Sequence, residues 1–320
     1  MSKHSFAVAY DRRKLDRKKD GKSVHVVSSM LKSSRSYRVF TVINYILLTL
    51  FTLMFCLPYL MIVSASFSDE LTLIREGYSL IPQGLSVAAY RYIFTENTLI
   101  FTSIWNSVKL TVIGSALTLI VSGMYAYPLS RPYIRFKKVF NIFMIIPMLF
   151  SGGLIPYYLT VTSVFGGILY DSIWAIILPG CFAIWYAILM RNYFLSLPDS
   201  LEEAAKIDGA SDVTVLIRII LPLSKPIIAT ILLYSAVSLW SNWYGALLFI
   251  RTPERYPLQF FIQQVMANVN SLYPTSSSTL QPSETLKMAC VVVSTLPIII
   301  IYPFVQKYFV QGTTLGSVKE

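Results

Sequence analysis

The sequence comprises 320 residues, of which 55% are hydrophobic and 13% are charged, with a formal net charge of +11. Soluble domains carry about 25% charged residues, so this chain has too little charge to keep its apolar surface in water. The composition argues against a soluble enzyme, a soluble nucleic-acid-binding protein and a disordered chain.

The excess positive charge is concentrated at the start of the chain. Residues 1–38, the basic N-terminal arm, contain eleven Lys and Arg against three Asp. Clustered cations beside a membrane are attracted to anionic headgroups, so membrane lipid is the favoured partner of the arm. A contact with a protein partner is the alternative. We expect no nucleic-acid partner, because no recognition motif accompanies the charge.

Six stretches lack Asp, Glu, Lys and Arg, and each reaches or approaches the length of a membrane span. They are 39–68, 110–130, 139–170, 172–190, 226–250 and 288–306. A bilayer core requires about 20 apolar residues of helix, and backbone groups in lipid must be satisfied within the segment. We therefore predict an all-α integral membrane protein with six transmembrane helices. The first stretch is too long for a signal peptide and is expected to remain as an anchor.

The distribution of Lys and Arg predicts the orientation. With the N-terminus inside, 21 of the 27 Lys and Arg lie on the cytoplasmic side. Positive residues favour that side, so both termini are expected to be cytoplasmic. The membrane domain then covers 39–310, with an inner loop at 191–225 and an outer loop at 251–287. Residues 311–320 form a cytoplasmic tail.

The residue types needed for catalysis or metal binding are missing from the spans. Both histidines lie in the arm, and the three cysteines lie inside predicted spans, where cysteine acts as a small apolar residue. Ionisable residues inside a membrane usually mark ion or proton paths, and these spans have essentially none. This disfavours an ion-coupled secondary carrier, although helix breaks that bind ions through carbonyls keep that alternative open.

The segment Gly21-Lys22-Ser23 has the ending of a phosphate-binding loop without its start. That loop requires a glycine five residues before the Gly-Lys pair, and position 16 is Asp. We expect this chain to bind no nucleotide, cofactor or metal itself.

The inner loop 191–225 is polar but has the signals of a helical hairpin. Ser200–Glu203 has the spacing of a capping box, which predicts a helix from about residue 201. Gly209 is placed to end that helix in a left-handed conformation. Ser211 is placed to cap a second helix, which Pro222 ends.

The same loop resembles a known signature. Glu203-Ala204-Ala205, Gly209 and, nine residues later, Ile219-x-Leu221-Pro222 are similar to the loop motif of permease subunits in bacterial binding-protein-dependent ABC importers. Further segments resemble the carbohydrate-uptake branch, and most closely its lipoprotein-associated polysaccharide and oligosaccharide permeases, similar to the maltose system's second permease. They are 64–69, 150–156, 256–259 and 306–317.

The resemblance implies a type I ABC importer permease fold and a non-catalytic subunit of the bacterial cytoplasmic membrane. It implies a homologous permease as heterodimer partner, two ATP-binding subunits that use ATP and Mg, an extracytoplasmic solute-binding protein and a saccharide substrate. A solute other than a sugar is the alternative.

The resemblance also implies that the loop forms coupling helices, which dock on the ATP-binding subunits. The residues expected to couple are Glu203, Ala204, Ala205, Asp208, Gly209, Ile219, Leu221 and Pro222. The alternative is that these residues act only as caps, turn and helix formers.

The substrate pathway is less well marked. The fifth stretch ends in an aromatic and polar cluster, and the outer loop contains several amides. The candidate pathway residues are Trp240, Asn242, Trp243, Tyr244 and Gln263. An interfacial aromatic belt, with Ser and Asn joining helices, is the alternative that the residues favour for the cluster. Ser151–Gly153 and Pro156 predict a break in the third span, and the outer loop is expected to be either a lid or a simple connection.

Overall fold

All regular structure in the described residues of the computed structural model is helical, which confirms the predicted fold class. The described residues are 35–96, 99–150, 152–164, 167–272 and 284–316. The basic N-terminal arm lies almost entirely outside them. The helices are α1 (Arg35–Ser66), α2 (Glu70–Glu76), α3 (Ala88–Arg91), α4 (Leu99–Ser130), α5 (Lys137–Leu149), α6 (Leu154–Leu159), α7 (Trp174–Gly180), α8 (Ile184–Leu195), α9 (Ser200–Ile207), α10 (Asp212–Val215), α11 (Lys225–Trp240), α12 (Trp243–Phe249), α13 (Leu258–Leu272) and α14 (Glu284–Gly316).

Three helices are long and apolar enough to cross a membrane unbroken: α1, α4 and α14. Three bent pairs, α5 with α6, α7 with α8, and the α10 segment with α11, bring the total to as many as six spans. The chain divides into two compact units, residues 1–61 and residues 62–320. Within the described part of the first unit the backbone is the single apolar helix α1, which contains Pro58.

The second unit is organised around α4, which packs against α11, α8 and α13. Small residues make the close packing possible. A Cβ added at Gly114 would lie 2.6 Å from the Leu239 side chain of α11, and one at Gly123 would lie 3.3 Å from Met190 of α8. Glycine at these positions lets the helix backbones approach, as is common in membrane helices.

The bent spans break where the sequence disfavours a continuous helix. The predicted break in the third span is confirmed, because α5 and α6 meet at 112° around Gly153, whose φ is +85°. The fifth apolar stretch was expected to form one helix over 226–250. It is instead interrupted after Trp240, because the Asn242 side chain accepts from the Gly245 amide and starts the separate helix α12.

Candidate functional site

The segment 191–225 contains the predicted helix, glycine turn and second helix. Helix α9 ends at Ile207, Asp208 is its C-cap, and Gly209 follows with φ +81°. The Gly209 amide donates to the Lys206 carbonyl at 3.0 Å, and the Ala210 amide donates to the Ala205 carbonyl at 2.9 Å. This pair of bonds is a Schellman motif, which satisfies the last carbonyls of the helix. The predicted glycine stop is therefore confirmed.

The two helix starts differ in how well the sequence predicted them. Ser211 caps α10 as expected, accepting from the Thr214 amide at 3.3 Å. The capping box predicted for Ser200–Glu203 is wrong. The backbone of Asp199 is already helical, so Asp199 takes the cap position without a side-chain bond and Ser200 lies inside the first turn.

After Val215 the chain continues through a π-helical turn, Leu216–Ile220, and a short turn, Leu221–Leu223. We refer to residues 200–223 as the hairpin. A buried Ser224 separates it from α11, and the axis of its second half, Asp212–Leu223, is bent by 81° from the axis of α11. The Tyr193 hydroxyl donates to the Leu223 carbonyl at 3.2 Å, which fixes the end of the hairpin to α8.

The hairpin has an inner and an outer face, and the candidate residues divide between them. Buried Val215 and Ile220 pack with α4, α8 and α11, and Ala205 and Ile219 lie partly buried against the same cluster. The outer face is exposed and includes Glu203, Ala204, Asp208, Gly209 and Pro222, while Leu221 is intermediate. The motif therefore supplies both an anchoring surface and a surface available to a partner.

Apolar side chains also project from the outer face. Ile207 is 86% exposed and Val213 is 64% exposed, although both belong to the polar segment 191–225, outside the six charge-free stretches of the sequence. Exposed apolar groups clustered beside polar ones are typical of protein interfaces.

Sequence reasoning missed Glu202, the neighbour of the motif glutamate. Its side chain is buried and forms an ion pair with Arg131, with 2.5 Å between Nη1 and Oε2. Its other oxygen accepts from Lys206 at 2.9 Å and from the Tyr133 hydroxyl at 3.3 Å. Only the i to i+4 relation between Glu202 and Lys206 is visible in the sequence.

Lys206 joins the two helices of the hairpin. Its ammonium lies 3.1 Å from an Asp212 carboxylate oxygen and 4.1 Å from the centre of the Tyr133 ring. Its hydrogen bond to Glu202 is the main cause that raises its pKa above the ordinary value. Burial raises the pKa of the Tyr133 phenol. Lys206 is therefore cationic and Tyr133 neutral at physiological pH, as these contacts require.

A second polar cluster lies between the turn before α7 and the segment after α12. Asp171 has a φ of +56°, and its carboxylate accepts from the amides of Arg251 and Thr252 and from the Thr252 hydroxyl. Arg255 pairs with the same carboxylate at 3.0 Å. Burial alone would raise the pKa of this carboxyl, but the Thr252 and Arg251 hydrogen bonds and the Arg255 charge outweigh it and lower the pKa.

We expect Asp171→Ala to lower the free energy of unfolding by about 2 kcal/mol, because several hydrogen bonds to a charged group are lost. Since the folded-state pKa is lowered, the stabilisation is present above the ordinary carboxyl pKa and disappears as the pH falls through the lowered value. Thermal unfolding in detergent tests this. The melting temperatures of wild type and Asp171→Ala should differ at neutral pH and converge in acid. The melting temperature of Glu254→Gln should match that of wild type at every pH. An equal difference at both pH values would contradict the assignment.

The candidate pathway residues differ in burial. Trp240 is 7% exposed, and its indole donates to the Ser294 carbonyl at 3.1 Å. Asn242 is a helix cap. Trp243 and Tyr244 are 40% and 45% exposed and contact each other edge to face, and Gln263 is exposed on α13.

A different aromatic surface lies between α8, α11 and α14. It is an open groove of about 580 Å³. We refer to it as the aromatic groove. Its lining residues are Trp185, Tyr186, Leu233, Tyr234, Val237, Ser238, Ile298 and Tyr302. Trp185 and Tyr186 lie in the first turn of α8, and the other lining residues lie within α11 and α14.

Comparison with known proteins identifies the family. Residues 112–315 match the family model described as "Binding-protein-dependent transport system inner membrane component". The chain is 39% identical over 286 residues to the polygalacturonan/rhamnogalacturonan transport system permease protein YtcP of Bacillus subtilis (strain 168), covering 88% of this chain and 99% of YtcP. It is 39% identical over 293 residues to protein LplC of the same organism, covering 90% of this chain and 98% of LplC.

A solved structure gives the same result. The fold matches a chain of a bacterial ABC transporter that imports the acidic polysaccharide alginate, with a TM-score of 0.76 and 34% identity. The match covers 86% of this chain and 98% of the other. Family model, relatives and fold agree, and this chain belongs to the binding-protein-dependent transport system inner membrane components.

Proposed function

We propose that this chain is a permease subunit of an ATP-driven importer that moves an oligosaccharide or polysaccharide across the bacterial cytoplasmic membrane by alternating access. The observation that supports the substrate class best is the 39% identity with YtcP, which extends over 88% of this chain. The alginate importer, 34% identical to this chain, supports the same class. The chain itself catalyses no reaction and binds no nucleotide, because its partner subunits hydrolyse ATP.

We assign the outer face of the hairpin to the contact with an ATP-binding subunit. Glu203, Ala204, Asp208 and Gly209 are exposed there, beside the exposed side chain of Ile207. Small residues allow close approach, while the carboxylates and the apolar group give the surface both charge and apolar area. Ile219, Leu221 and Pro222 connect this surface to α11.

The complete importer contains further subunits. We infer a homologous permease in a heterodimer with this chain, two ATP-binding subunits and an extracytoplasmic solute-binding protein. Both termini and the hairpin lie on the cytoplasmic side. The outer loop 251–287 and its helix α13 then face the solute-binding protein.

We assign the saccharide route to the aromatic groove. Exposed rings with few polar groups are typical of a small-molecule site, and flat aromatic faces suit the apolar faces of sugar rings. We assign the exposed Trp243, Tyr244 and Gln263 to the outer entrance of this route. Trp240 and Asn242 support the helices around this route rather than contact the sugar.

Copurification and uptake test the proposal. The tagged chain should bring down an ATP-binding subunit, and uptake of labelled oligogalacturonide into vesicles should require both ATP and the solute-binding protein. Glu203→Lys should abolish copurification of the ATP-binding subunit, because it reverses an exposed charge in the proposed contact. Glu76→Lys, an equal reversal at an exposed position in α2, should not.

Uptake driven by an ion gradient alone would contradict the importer assignment and favour a secondary carrier. ATP-dependent uptake of another solute, without uptake of any saccharide, would contradict only the substrate class.

A further inference from the structure

The hairpin is joined to α4 by the buried ion pair described above. Arg131 directly follows the last residue of α4, and its amide donates to the Pro128 carbonyl at 3.0 Å. Its guanidinium lies 4.8 Å from the centre of the Tyr127 ring, which is part of α4. The Arg131 side chain, 3% exposed, is therefore held to the end of α4 and moves with it.

The other half of the pair belongs to the hairpin. Glu202 lies in the first turn of α9, and its side chain is 8% exposed. Through Lys206 and Tyr133 the same cluster reaches Asp212 at the start of α10. The two helices of the hairpin are thus linked to each other at the point where the hairpin meets α4.

Helix α4 is the central helix of the second unit, and the hairpin also contacts α8 and α11 directly. Helix α4 packs against α8, α11 and α13, with closely fitting contacts at Gly114 and Gly123. A packed interior transmits strain because it has few voids into which side chains relax. A force on the hairpin that reaches Arg131 therefore acts on three neighbouring helices.

The chemistry of the pair makes the connection stiff. Separating two buried, oppositely charged groups leaves each without its partner, which is far more costly than sliding one apolar surface over another. The Nε and Nη2 atoms of Arg131 are buried and have no hydrogen-bond partner among the described residues, so only Nη1 is paired, with Glu202. Glu202 is thus the main anchor of this guanidinium within the described part of the chain.

We propose that the Arg131–Glu202 pair is the joint that transmits movement of the hairpin to α4, which makes both residues positioning residues for ATP-coupled transport. The proposal rests on the proposed function, because it requires an ATP-binding subunit to move the hairpin. Glu203 and Glu202 then have separate roles: Glu203 contacts the partner, and Glu202 passes the movement to the membrane helices.

The experiment measures two quantities for the complete importer in vesicles: copurification of the ATP-binding subunit, and saccharide transported per ATP hydrolysed. Arg131→Met and Glu202→Gln should each retain the ATP-binding subunit while transport per ATP falls about tenfold, within the usual range of coupling between sites. Arg131→Lys, which keeps the charge, should retain more transport per ATP than Arg131→Met. Arg135→Met removes an exposed cation from the same loop and should match wild type.

A single variant leaves one buried charge unpaired, which lowers accumulation of the chain, so the double variant Arg131→Met/Glu202→Met is included. Removing both charges together is far less destabilising than removing one. The proposal is supported if the double variant accumulates better than the single variants while its transport per ATP remains about tenfold below wild type. Wild-type transport per ATP in the double variant overturns it, as does a double variant that accumulates no better than the single ones.

The proposed function and the joint fail in different ways. If Glu203→Lys leaves copurification and transport intact, the hairpin is not the docking surface and the proposed function fails at that point. If Glu203→Lys abolishes copurification while Arg131→Met and Glu202→Gln transport normally, the docking surface stands and only the joint is overturned.

Discussion

Gly209→Pro is expected to abolish saccharide uptake while the chain still accumulates in the membrane. Gly209 has a φ of +81°, and proline is restricted to a φ near −65°. Its amide also donates to the Lys206 carbonyl, a bond that proline cannot form. The turn between α9 and α10 must therefore rearrange, and the exposed face proposed to bind the ATP-binding subunit loses its shape. Copurification of that subunit and vesicle uptake are the measurements.

Gly209→Ala tests the effect of backbone strain alone, without the rearrangement of the turn that Gly209→Pro causes. No atom lies within 4 Å of a Cβ added at Gly209, so alanine pays only the left-handed backbone strain of about 1 kcal/mol. Strain of this size shifts only a small part of the population from the native turn to a rearranged one. We therefore expect uptake by Gly209→Ala to remain at about half of wild type or above.

The chain offers a close control for this substitution at Gly77. Gly77 has a φ of +80°, its amide donates to the Leu73 carbonyl at 3.0 Å, and a Cβ there would also meet nothing within 4 Å. Gly77→Pro therefore causes the same local damage at the end of α2. It should leave copurification of the ATP-binding subunit unchanged. Equal loss of copurification in both variants would mean that the effect is general destabilisation.

The sequence predicted the hairpin well because its signals are local. A helix stop at glycine and a serine cap each depend on residues within one turn of the chain, so they can be identified without tertiary information. Even so, the predicted capping box was wrong. The S-x-x-E spacing does not reveal that Asp199 has a helical backbone, which moves the helix start one residue earlier.

The different roles proposed for Glu202 and Glu203 could not be predicted from the sequence. Consecutive residues on a helix point about 100° apart, so one of two adjacent glutamates faces the protein and the other faces outward. Which one faces inward depends on the position of Arg131, which is distant in the chain. The motif singles out Glu203 but does not indicate that its neighbour Glu202 is buried, which only the packing against Arg131 shows.

The candidate pathway residues show a different limit of the sequence, because neighbours in the chain differ in burial in the fold. Trp240 and Trp243 are close in the chain, but the helix break at Asn242 leaves the first buried and the second partly exposed. The aromatic groove is assembled from three helices that are remote in sequence. Such a surface becomes visible only when the packing of α8, α11 and α14 is known.

Two tryptophan substitutions should therefore have different effects. Trp185 is 55% exposed in the aromatic groove, and Trp185→Ala should lower saccharide uptake roughly tenfold or more, because loss of a central aromatic contact costs about 2 kcal/mol. The ATP-binding subunit should still copurify. Trp240→Ala should instead reduce membrane accumulation and the melting temperature, because truncating a buried tryptophan costs about 3–5 kcal/mol.

Trp105 provides the matched control, because it is 61% exposed on α4 and does not line the groove. Trp105→Ala removes the same side chain from an exposed position and should leave uptake, accumulation and melting temperature unchanged. Normal uptake by Trp185→Ala would remove the aromatic groove from the saccharide route. If Trp240→Ala accumulates normally but its uptake is strongly reduced, Trp240 at the end of α11 belongs to the saccharide route. A residue that only supports packing does not affect transport without affecting stability.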